Sequence, residues 1–233
     1  MKNLPLMKYC PKVKNTTFGE QQRMQTKRPQ IKAPSASRPE PVRVRITGGS
    51  LRGSRLQVPE LPGMRPTPDR LRGTLFDWLR PALPGMRVLD LFAGTGALAI
   101  EALSQGAGTA CFVEQNQILA AALKANLTRL KLAHCSAVHS GDFRAVLHEL
   151  RSSFHLVLLD PPFADQLWRP ALIALAQCKL LTVDAVIYLE WPSEQPAPIP
   201  VGCLHKQTRV GAVQGGLLLA TRLPEALNAC SER

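Results

Sequence analysis

Residues 88–96 read Val-Leu-Asp-Leu-Phe-Ala-Gly-Thr-Gly, an apolar run that ends in an acid and leads into a glycine-rich turn. From residue 85 onward, segments with the pattern of strands alternate with segments that have the apolar periodicity of helices. The predicted strands are 87–91, 109–114, 136–140, 154–159 and 185–190, and the predicted helices are 95–103, 117–130, 143–150 and 166–178. This alternation indicates an α/β fold with a doubly wound, mostly parallel sheet. Segments 203–210 and 216–222, separated only by Gly-rich residues, are predicted to add a C-terminal antiparallel hairpin.

The length and composition are those of one folded domain with a basic N-terminal extension. The 233 residues are 45% hydrophobic and 20% charged, as in ordinary globular domains. Of the 29 Lys and Arg residues, 13 lie in residues 1–55, which hold only 2 of the 17 acidic residues. We predict a disordered basic arm over 1–41, an N-terminal hairpin and helix over 42–84, the main domain over 85–223 and a tail over 224–233. A basic arm favours nucleic acid as a partner, and a solvated solubility tail is the alternative.

The six cysteines and five histidines show no metal-ligand spacing. The sequence therefore predicts reduced structural thiols and no metal site. The N-terminus lacks an apolar signal core, and no run approaches the roughly 18 apolar residues that span a bilayer. We expect a cytoplasmic protein without a membrane partner.

Residues 42–58 have the pattern of a small basic β-hairpin. Segments 42–46 and 54–58 alternate apolar and polar residues on either side of a Gly-rich turn. An amphipathic helix is predicted next, ending near Pro81. The arginines of these segments would form a phosphate-contacting patch, and a merely solvated face is the alternative. The predicted nucleic-acid contacts are Arg43, Arg45, Arg52, Arg65, Thr67, Arg70 and Arg72.

Acidic residues lie at the ends of the first four predicted strands, where open parallel sheets bind ligands. The acid of the 88–96 stretch and the Ala99 in place of a third glycine argue against a dinucleotide and favour a cationic or zwitterionic cofactor. Glu114 is placed to bind ribose hydroxyls, and Asp142 with Phe143 to flank an adenine. These features together describe S-adenosylmethionine, whereas a simple strand–helix turn is the alternative. The predicted cofactor-binding residues are Asp90, Phe92, Ala93, Gly94, Gly96, Glu114, Asp142 and Phe143.

Residues 160–163, which read Asp-Pro-Pro-Phe, follow the fourth strand. Two prolines remove two backbone donors and fix φ, so the loop presents carbonyl oxygens in a rigid arrangement. A carboxylate at Asp160 and a ring at Phe163 would hold and stack a planar base with an exocyclic amine. A purely structural turn is the alternative. The predicted catalytic residues are Asp160, Pro161, Pro162 and Phe163.

This loop resembles the N/D-P-P-Y/F signature of amino-methyltransferases that act on exocyclic nitrogens of bases. Segments 45–53, 65–78 and 90–101, with the loop and the C-terminal hairpin, are similar to the bacterial 16S ribosomal RNA guanine-N2 methyltransferase family (RsmD-like). The sequence departs from that family at Gly73, where an acid is usual.

The resemblance implies a Rossmann-like methyltransferase sheet, S-adenosylmethionine as the cofactor, and N2 of a guanine in 16S ribosomal RNA as the methyl acceptor. It also implies a monomer whose partner is 16S ribosomal RNA or the small ribosomal subunit. A DNA adenine-N6 methyltransferase with the same Asp-Pro-Pro-Phe chemistry is the alternative, and a nucleic-acid-binding protein with a degenerate cofactor site is a third.

Overall fold

The computed structural model describes residues 44–59 and 67–228. A seven-stranded sheet in the order β5-β4-β3-β6-β7-β9-β8 forms its centre, and a separate two-stranded hairpin, β1-β2, precedes it. The strands are β1 (Val44–Arg45), β2 (Arg55–Leu56), β3 (Arg87–Asp90), β4 (Thr109–Glu114), β5 (Ser136–Ser140), β6 (Phe154–Leu159), β7 (Leu181–Pro192), β8 (Leu204–Val210) and β9 (Val213–Leu219). The helices are α1 (Asp69–Leu79), α2 (Ala97–Ser104), α3 (Gln117–Arg129), α4 (Phe143–Glu149), α5 (Trp168–Gln177) and α6 (Leu223–Asn228).

The sheet has the predicted doubly wound topology. Strands β3 to β7 pair in parallel, whereas β9 pairs antiparallel with both β7 and β8. The chain builds outward from β3 through β4 to β5, then returns to place β6 on the other side of β3. This reversal of strand order opens a crevice at the carboxyl ends of β3 and β6, where doubly wound sheets bind their ligands.

Alternate residues of the central strands face two hydrophobic cores, as expected for strands covered on both sides. Val88, Leu156 and Leu158 pack with the hairpin and with α1, α2 and α3. Leu89 and Val157 face the opposite core, which is completed by α4, α5 and α6. Each layer of helices therefore has an apolar side of the sheet to bury.

The N-terminal hairpin is held against α2 by buried polar contacts. Glu101 accepts hydrogen bonds from the backbone N–H groups of Thr47 at 2.8 Å and Gly48 at 2.6 Å. Ser104 donates to the Gly48 carbonyl at 2.6 Å and accepts from the Leu51 N–H at 2.8 Å. The predicted hairpin is thus present. Its paired strands are two residues each, and Ile46 adds two hydrogen bonds across the hairpin, to Ser54 and from Gly53.

Two predicted boundaries near the C-terminus are wrong. The last strand is Val213–Leu219 and not 216–222, because pairing with β8 begins immediately after Gly211 and Ala212. The predicted tail over 224–233 contains most of α6, and Ala226 is fully buried against the second core. The basic arm predicted over 1–41 lies outside the described residues.

Candidate active site

A cavity of about 810 Å³ opens at the carboxyl ends of the parallel strands, at the reversal of strand order. One half of its wall comes from the loop after β3 and the end of β4, and the other from the loop after β6 and the end of β7. Its principal polar and aromatic lining residues are Asp90, Phe92, Glu114, Phe143, Thr67, Asp160, Phe163 and Glu190. The volume is in the range of sites that enclose a small-molecule cofactor.

The glycine loop between β3 and α2 turns tightly because two of its residues adopt left-handed backbone conformations. Gly94 has a φ of +51° and Gly96 has a φ of +75°. A Cβ on Gly96 would lie 2.4 Å from the Leu123 side chain, so the loop and α3 can approach only if this residue is glycine. Gly96 is itself buried beneath the loop and is not part of the cavity wall, whereas Gly94 and Ala93 line it.

Glu114 at the end of β4 organises the same loop. One of its carboxylate oxygens accepts from the Gly94 N–H at 2.7 Å, and the other accepts from the Asn116 N–H at 2.7 Å. Asn116 in turn caps α3 by accepting from the backbone N–H of Ile118. Glu114 therefore joins the glycine loop to the start of α3 and still borders the cavity.

Of the two residues predicted to flank an adenine, Phe143 lines the cavity and Asp142 does not. Phe143 packs edge-on against Phe92, with 5.2 Å between ring centroids, and both rings line the cavity. Asp142 caps α4 by accepting from the Arg144 N–H at 2.8 Å and is not part of the cavity wall. The neighbouring Gly141 lines the cavity in its place.

The loop after β6 carries the second half of the site. The Asp160 carboxylate accepts from the Thr67 hydroxyl at 3.3 Å. Phe163 stacks on Trp168, with 6.0 Å between ring centroids, and the Trp168 indole donates to the Glu190 carbonyl at 2.7 Å. Acceptors and an aromatic face therefore point into one cavity from a loop that the diproline and Trp168 hold rigid.

Three carboxyl groups line this cavity, of which Asp90 and Glu190 are buried and Asp160 is partly buried, and burial raises the pKa of each. Burial, together with repulsion from Asp160 and Glu114, raises the pKa of Asp90 to about 8, although a hydrogen bond from the backbone N–H of Ala99 lowers it. Burial raises the pKa of Asp160 to about 7, although the hydrogen bond from Thr67 opposes it. Burial and then repulsion from Asp160 raise the pKa of Glu190 well above its ordinary value. A cation or a set of hydrogen-bond donors is the ligand that such a cavity favours.

Glu190 was not among the predicted site residues. It ends the fifth predicted strand in the way that Asp90, Glu114 and Asp160 end or follow theirs. In the structure it is 1% exposed and accepts from the Tyr188 hydroxyl at 2.9 Å. Its position at the end of a predicted parallel strand is the same sequence signal that indicates Asp90, Glu114 and Asp160.

The predicted nucleic-acid contacts differ in their exposure to solvent. Arg45, Arg52 and Arg70 are exposed on the hairpin and at the start of α1. Thr67 is buried at the cavity, and Arg43 and Arg65 lie outside the described residues.

The prediction for Arg72 is wrong, because its side chain is fully buried and cannot reach a phosphate. Its guanidinium donates to the Arg45 carbonyl at 2.6 Å and to the Thr67 carbonyl at 3.4 Å. It also pairs with Asp69 at 2.8 Å and lies 4.0 Å from a Glu101 oxygen. Arg72 therefore joins the hairpin, the start of α1 and α2.

The residues present fit S-adenosylmethionine. Within the described part of the chain, one Asp90 oxygen is buried without a hydrogen-bond partner and could face the cationic group of that cofactor. Glu114 supplies acceptors near the glycine loop, and Phe92 and Phe143 supply aromatic surface for an adenine. No cluster of His, Cys, Asp and Glu that could hold a metal ion occurs among the described residues. Over the same residues, no helix is long and apolar enough to cross a membrane.

Comparison with known proteins identifies the family. Residues 44–216 match the family model described as conserved hypothetical protein 95. The ribosomal RNA small subunit methyltransferase D of Escherichia coli (strain K12) is 38% identical over 172 residues, which are 73% of this chain and 86% of that protein. The Haemophilus influenzae protein of the same name is 38% identical over 175 residues, 73% of this chain and 90% of its own. The solved structure of yhhF from Escherichia coli superimposes with a TM-score of 0.68 at 35% identity, covering 76% of this chain and 97% of that one. This chain therefore belongs to the conserved hypothetical protein 95 family, the family of the ribosomal RNA small subunit methyltransferases D.

Proposed function

We propose that this protein transfers a methyl group from S-adenosylmethionine to the exocyclic N2 of a guanine in 16S ribosomal RNA. Relatives named for methylation of small-subunit ribosomal RNA support the polymer and the enzyme class. One observation carries the chemistry: the glycine loop with the unpartnered Asp90 oxygen and the rigid Asp160 loop line the same cavity. The cofactor-binding half and the base-binding half thus meet where a methyl group could pass between them.

The Asp160 loop suits an amine that is a poor nucleophile. The lone pair of an exocyclic amine is delocalised into the ring, so the two N–H bonds must be held and polarised for the nitrogen to attack. The Asp160 carboxylate and the Pro161 carbonyl would accept these two N–H groups, and Phe163 would stack on the base. Their contribution is positioning, together with stabilisation of the positive charge that develops on the nitrogen.

The other half of the cavity would hold the cofactor. When bound, S-adenosylmethionine supplies a methyl group on a cationic sulfonium. Asp90 would face the cationic part, Glu114 the ribose hydroxyls and the Phe92–Phe143 pair the adenine. Binding of a cation next to Asp90 would lower the pKa of that carboxyl and remove the cost of its burial.

The exocyclic amine of a guanine within a paired stack is hidden between the bases and could not reach the Asp160 loop in the cavity. The target nucleotide would therefore be unpaired or rotated out of its helix before transfer. Arg45, Arg52 and Arg70 would bind phosphates around it, and Arg43 and Arg65 remain predicted contacts of the same kind. A monomeric cytoplasmic enzyme that acts on 16S ribosomal RNA or the small subunit fits this scheme.

The test is to incubate the protein with labelled S-adenosylmethionine and with 16S ribosomal RNA, 30S particles or DNA. Digestion to nucleosides should give labelled N2-methylguanosine from one of the two RNA substrates. N6-methyladenosine from DNA would instead support the DNA adenine methyltransferase alternative.

The variant Asp160→Ala separates chemistry from binding. It should lower the rate of transfer at least about a thousandfold, because it removes a charged acceptor in a water-poor site. Binding of S-adenosylmethionine, measured by calorimetry, should change little. Asp184→Ala is the matched control, because Asp184 is an exposed aspartate outside the cavity. Full turnover by Asp160→Ala would overturn the assignment.

A further inference from the structure

The base-binding half of the cavity contains a second carboxyl group besides Asp160. Glu190 lies near the carboxyl end of β7, the strand that pairs directly with β6, and it lines the cavity. The Tyr188 hydroxyl fixes one carboxyl oxygen at 2.9 Å. At 1% exposure, Glu190 faces the cavity and not bulk solvent.

The two carboxyl groups are linked through one residue. The Thr67 hydroxyl donates to Asp160 at 3.3 Å and also interacts with the Glu190 carboxyl. The charged and titratable groups that act on Glu190 are Asp160, Tyr188 and, more weakly, Arg72. In their ionised forms, Asp160 and Glu190 therefore present neighbouring acceptors to a base in the cavity.

The Watson–Crick edge of guanine is complementary to such neighbouring acceptors. It carries the N1–H donor beside the two N2–H donors, whereas adenine presents an N1 lone pair beside its amine. A hydrogen bond from an exocyclic amine to Asp160 does not by itself distinguish guanine from adenine, because both bases carry such an amine. The discrimination requires a second acceptor at the position of N1.

We infer that Glu190 is a specificity-determining residue that accepts the N1–H of the target guanine while Asp160 and the Pro161 carbonyl hold N2. This inference rests on the proposed guanine-N2 activity and adds to it the group that rejects bases without an N1–H. Binding of three donors also relieves the repulsion between two carboxyl groups that have little other compensation in the cavity.

The test uses base analogues at the methylated nucleotide, once wild-type product has been mapped. Three versions of the 16S ribosomal RNA, naked or in 30S particles as the wild type requires, carry guanosine, 6-thioguanosine or 2-aminopurine ribonucleoside at that position. All three keep the 2-amino group; 6-thioguanosine keeps N1–H and loses only O6, whereas 2-aminopurine loses both. The wild type should methylate the first two within a few-fold, and 2-aminopurine at least about 30-fold more slowly in kcat/KM.

The variant Glu190→Gln should lower the preference for guanosine over 2-aminopurine by at least about 30-fold. With its carbonyl oxygen held by Tyr188, the amide turns an N–H₂ toward the base, and this donor suits an N1 lone pair. Tyr188→Phe keeps the Glu190 carboxyl group but removes the hydrogen bond that holds it in place. The preference for guanosine over 2-aminopurine should therefore fall by a smaller factor than in Glu190→Gln. Binding of S-adenosylmethionine should be retained in both variants, and a purely structural role of Glu190 would leave the ratio between bases unchanged.

Each outcome bears on the inference. Equal rates of the wild type on guanosine and 2-aminopurine would overturn it, and so would an unchanged ratio in Glu190→Gln. Faster methylation of 2-aminopurine would mean that a protonated Glu190 donates to N1, which also overturns it. If Glu190→Gln does not fold, Tyr188→Phe tests the same carboxyl group, and an unchanged ratio between the bases in that variant would overturn the inference. Absence of any N2-methylguanosine from the wild type would refute the proposed function instead, so the two failures are distinguishable.

Discussion

Replacing Asp90 with asparagine should stabilise the protein while it weakens cofactor binding. Asp90 is 2% exposed, and one of its oxygens has no hydrogen-bond partner among the described residues. Its pKa is about 8 in the folded chain, against 3.8 for an unperturbed aspartate, chiefly because of burial. In the absence of a ligand, the folded state therefore keeps a proton on Asp90 that the unfolded state has lost.

The size and sign of the effect follow from this difference. Between about pH 4 and about pH 8 the folded state binds more protons than the unfolded state, so the free energy of unfolding falls as pH rises, by at most about 1.4 kcal/mol per pH unit. From about pH 5 to about pH 7, Asp90 alone accounts for a loss of about 3 kcal/mol. An asparagine has nearly the shape of the protonated acid and does not titrate. The stability advantage of the variant over the wild type should therefore grow by about 3 kcal/mol between about pH 5 and about pH 7.

Urea unfolding at a series of pH values, without cofactor, measures this difference. Asp160 and Glu190 titrate in both proteins, so the divergence between the two curves reports Asp90. Asp77→Asn makes the same chemical change at an exposed position on α1 and should leave the curve unaltered. Curves for Asp90→Asn and wild type that stay parallel across this range would refute the reasoning.

Calorimetric titration with S-adenosylmethionine measures the second effect of Asp90→Asn, the change in cofactor affinity. A cation favours the ionised form of Asp90, so wild-type binding should release a proton, and affinity should increase as pH rises toward about 8. Asp90→Asn should bind at least about tenfold more weakly near pH 8, with a smaller dependence on pH. Tight, pH-dependent binding by the variant would show that the cationic group lies elsewhere.

Two further substitutions test the scaffold. Glu101→Gln should lower the free energy of unfolding by about 3 kcal/mol, because it removes the buried charge that accepts hydrogen bonds from Thr47 and Gly48 of the hairpin and lies near Arg72. Glu149→Gln, at an exposed position of α4, is the control, and an equal effect of the two in urea unfolding would contradict this. Gly73→Ala should raise the free energy of unfolding by about 1 kcal/mol, because a helical Cβ there would meet no described atom within 4 Å. Gly85→Ala, at a φ of +75°, should instead destabilise, and thermal melting distinguishes the two.

The fold was predictable because its determinants are local. Alternation of buried strands with amphipathic helices follows from side-chain periodicity, and each predicted strand from 87 to 190 is present, with ends that differ by a few residues. The candidate site was predictable in outline for the same reason. Acids at the ends of parallel strands must converge, so Asp90, Glu114 and Asp160 could be brought to one cavity without any distance being known.

The contacts of the N-terminal extension were not predictable, because they join residues far apart in the chain. Arginine at position 72 looks like any exposed arginine of a helix, since nothing local indicates that the hairpin covers it. Its burial depends on Glu101 and on the Arg45 carbonyl, 29 and 27 residues away. Asp142 shows a second limit: a carboxyl group directly after a strand suits either a ligand contact or a helix cap. The structure shows that Asp142 caps α4, and its contact with a cofactor stays a prediction.

These long-range contacts change the interpretation of the extension over 42–84. Arg72 holds the carbonyls of Arg45 and Thr67, and Thr67 donates to Asp160. Hairpin residues Val44 and Ile46 also share a core with Val88 of the central sheet. The extension is therefore joined both to the core and to the predicted catalytic acid. The hydrogen bonds of Arg72 thus connect the hairpin to Thr67, the residue that contacts both Asp160 and Glu190. The predicted phosphate contacts on the hairpin and the predicted base contacts in the cavity are therefore joined by one continuous set of hydrogen bonds.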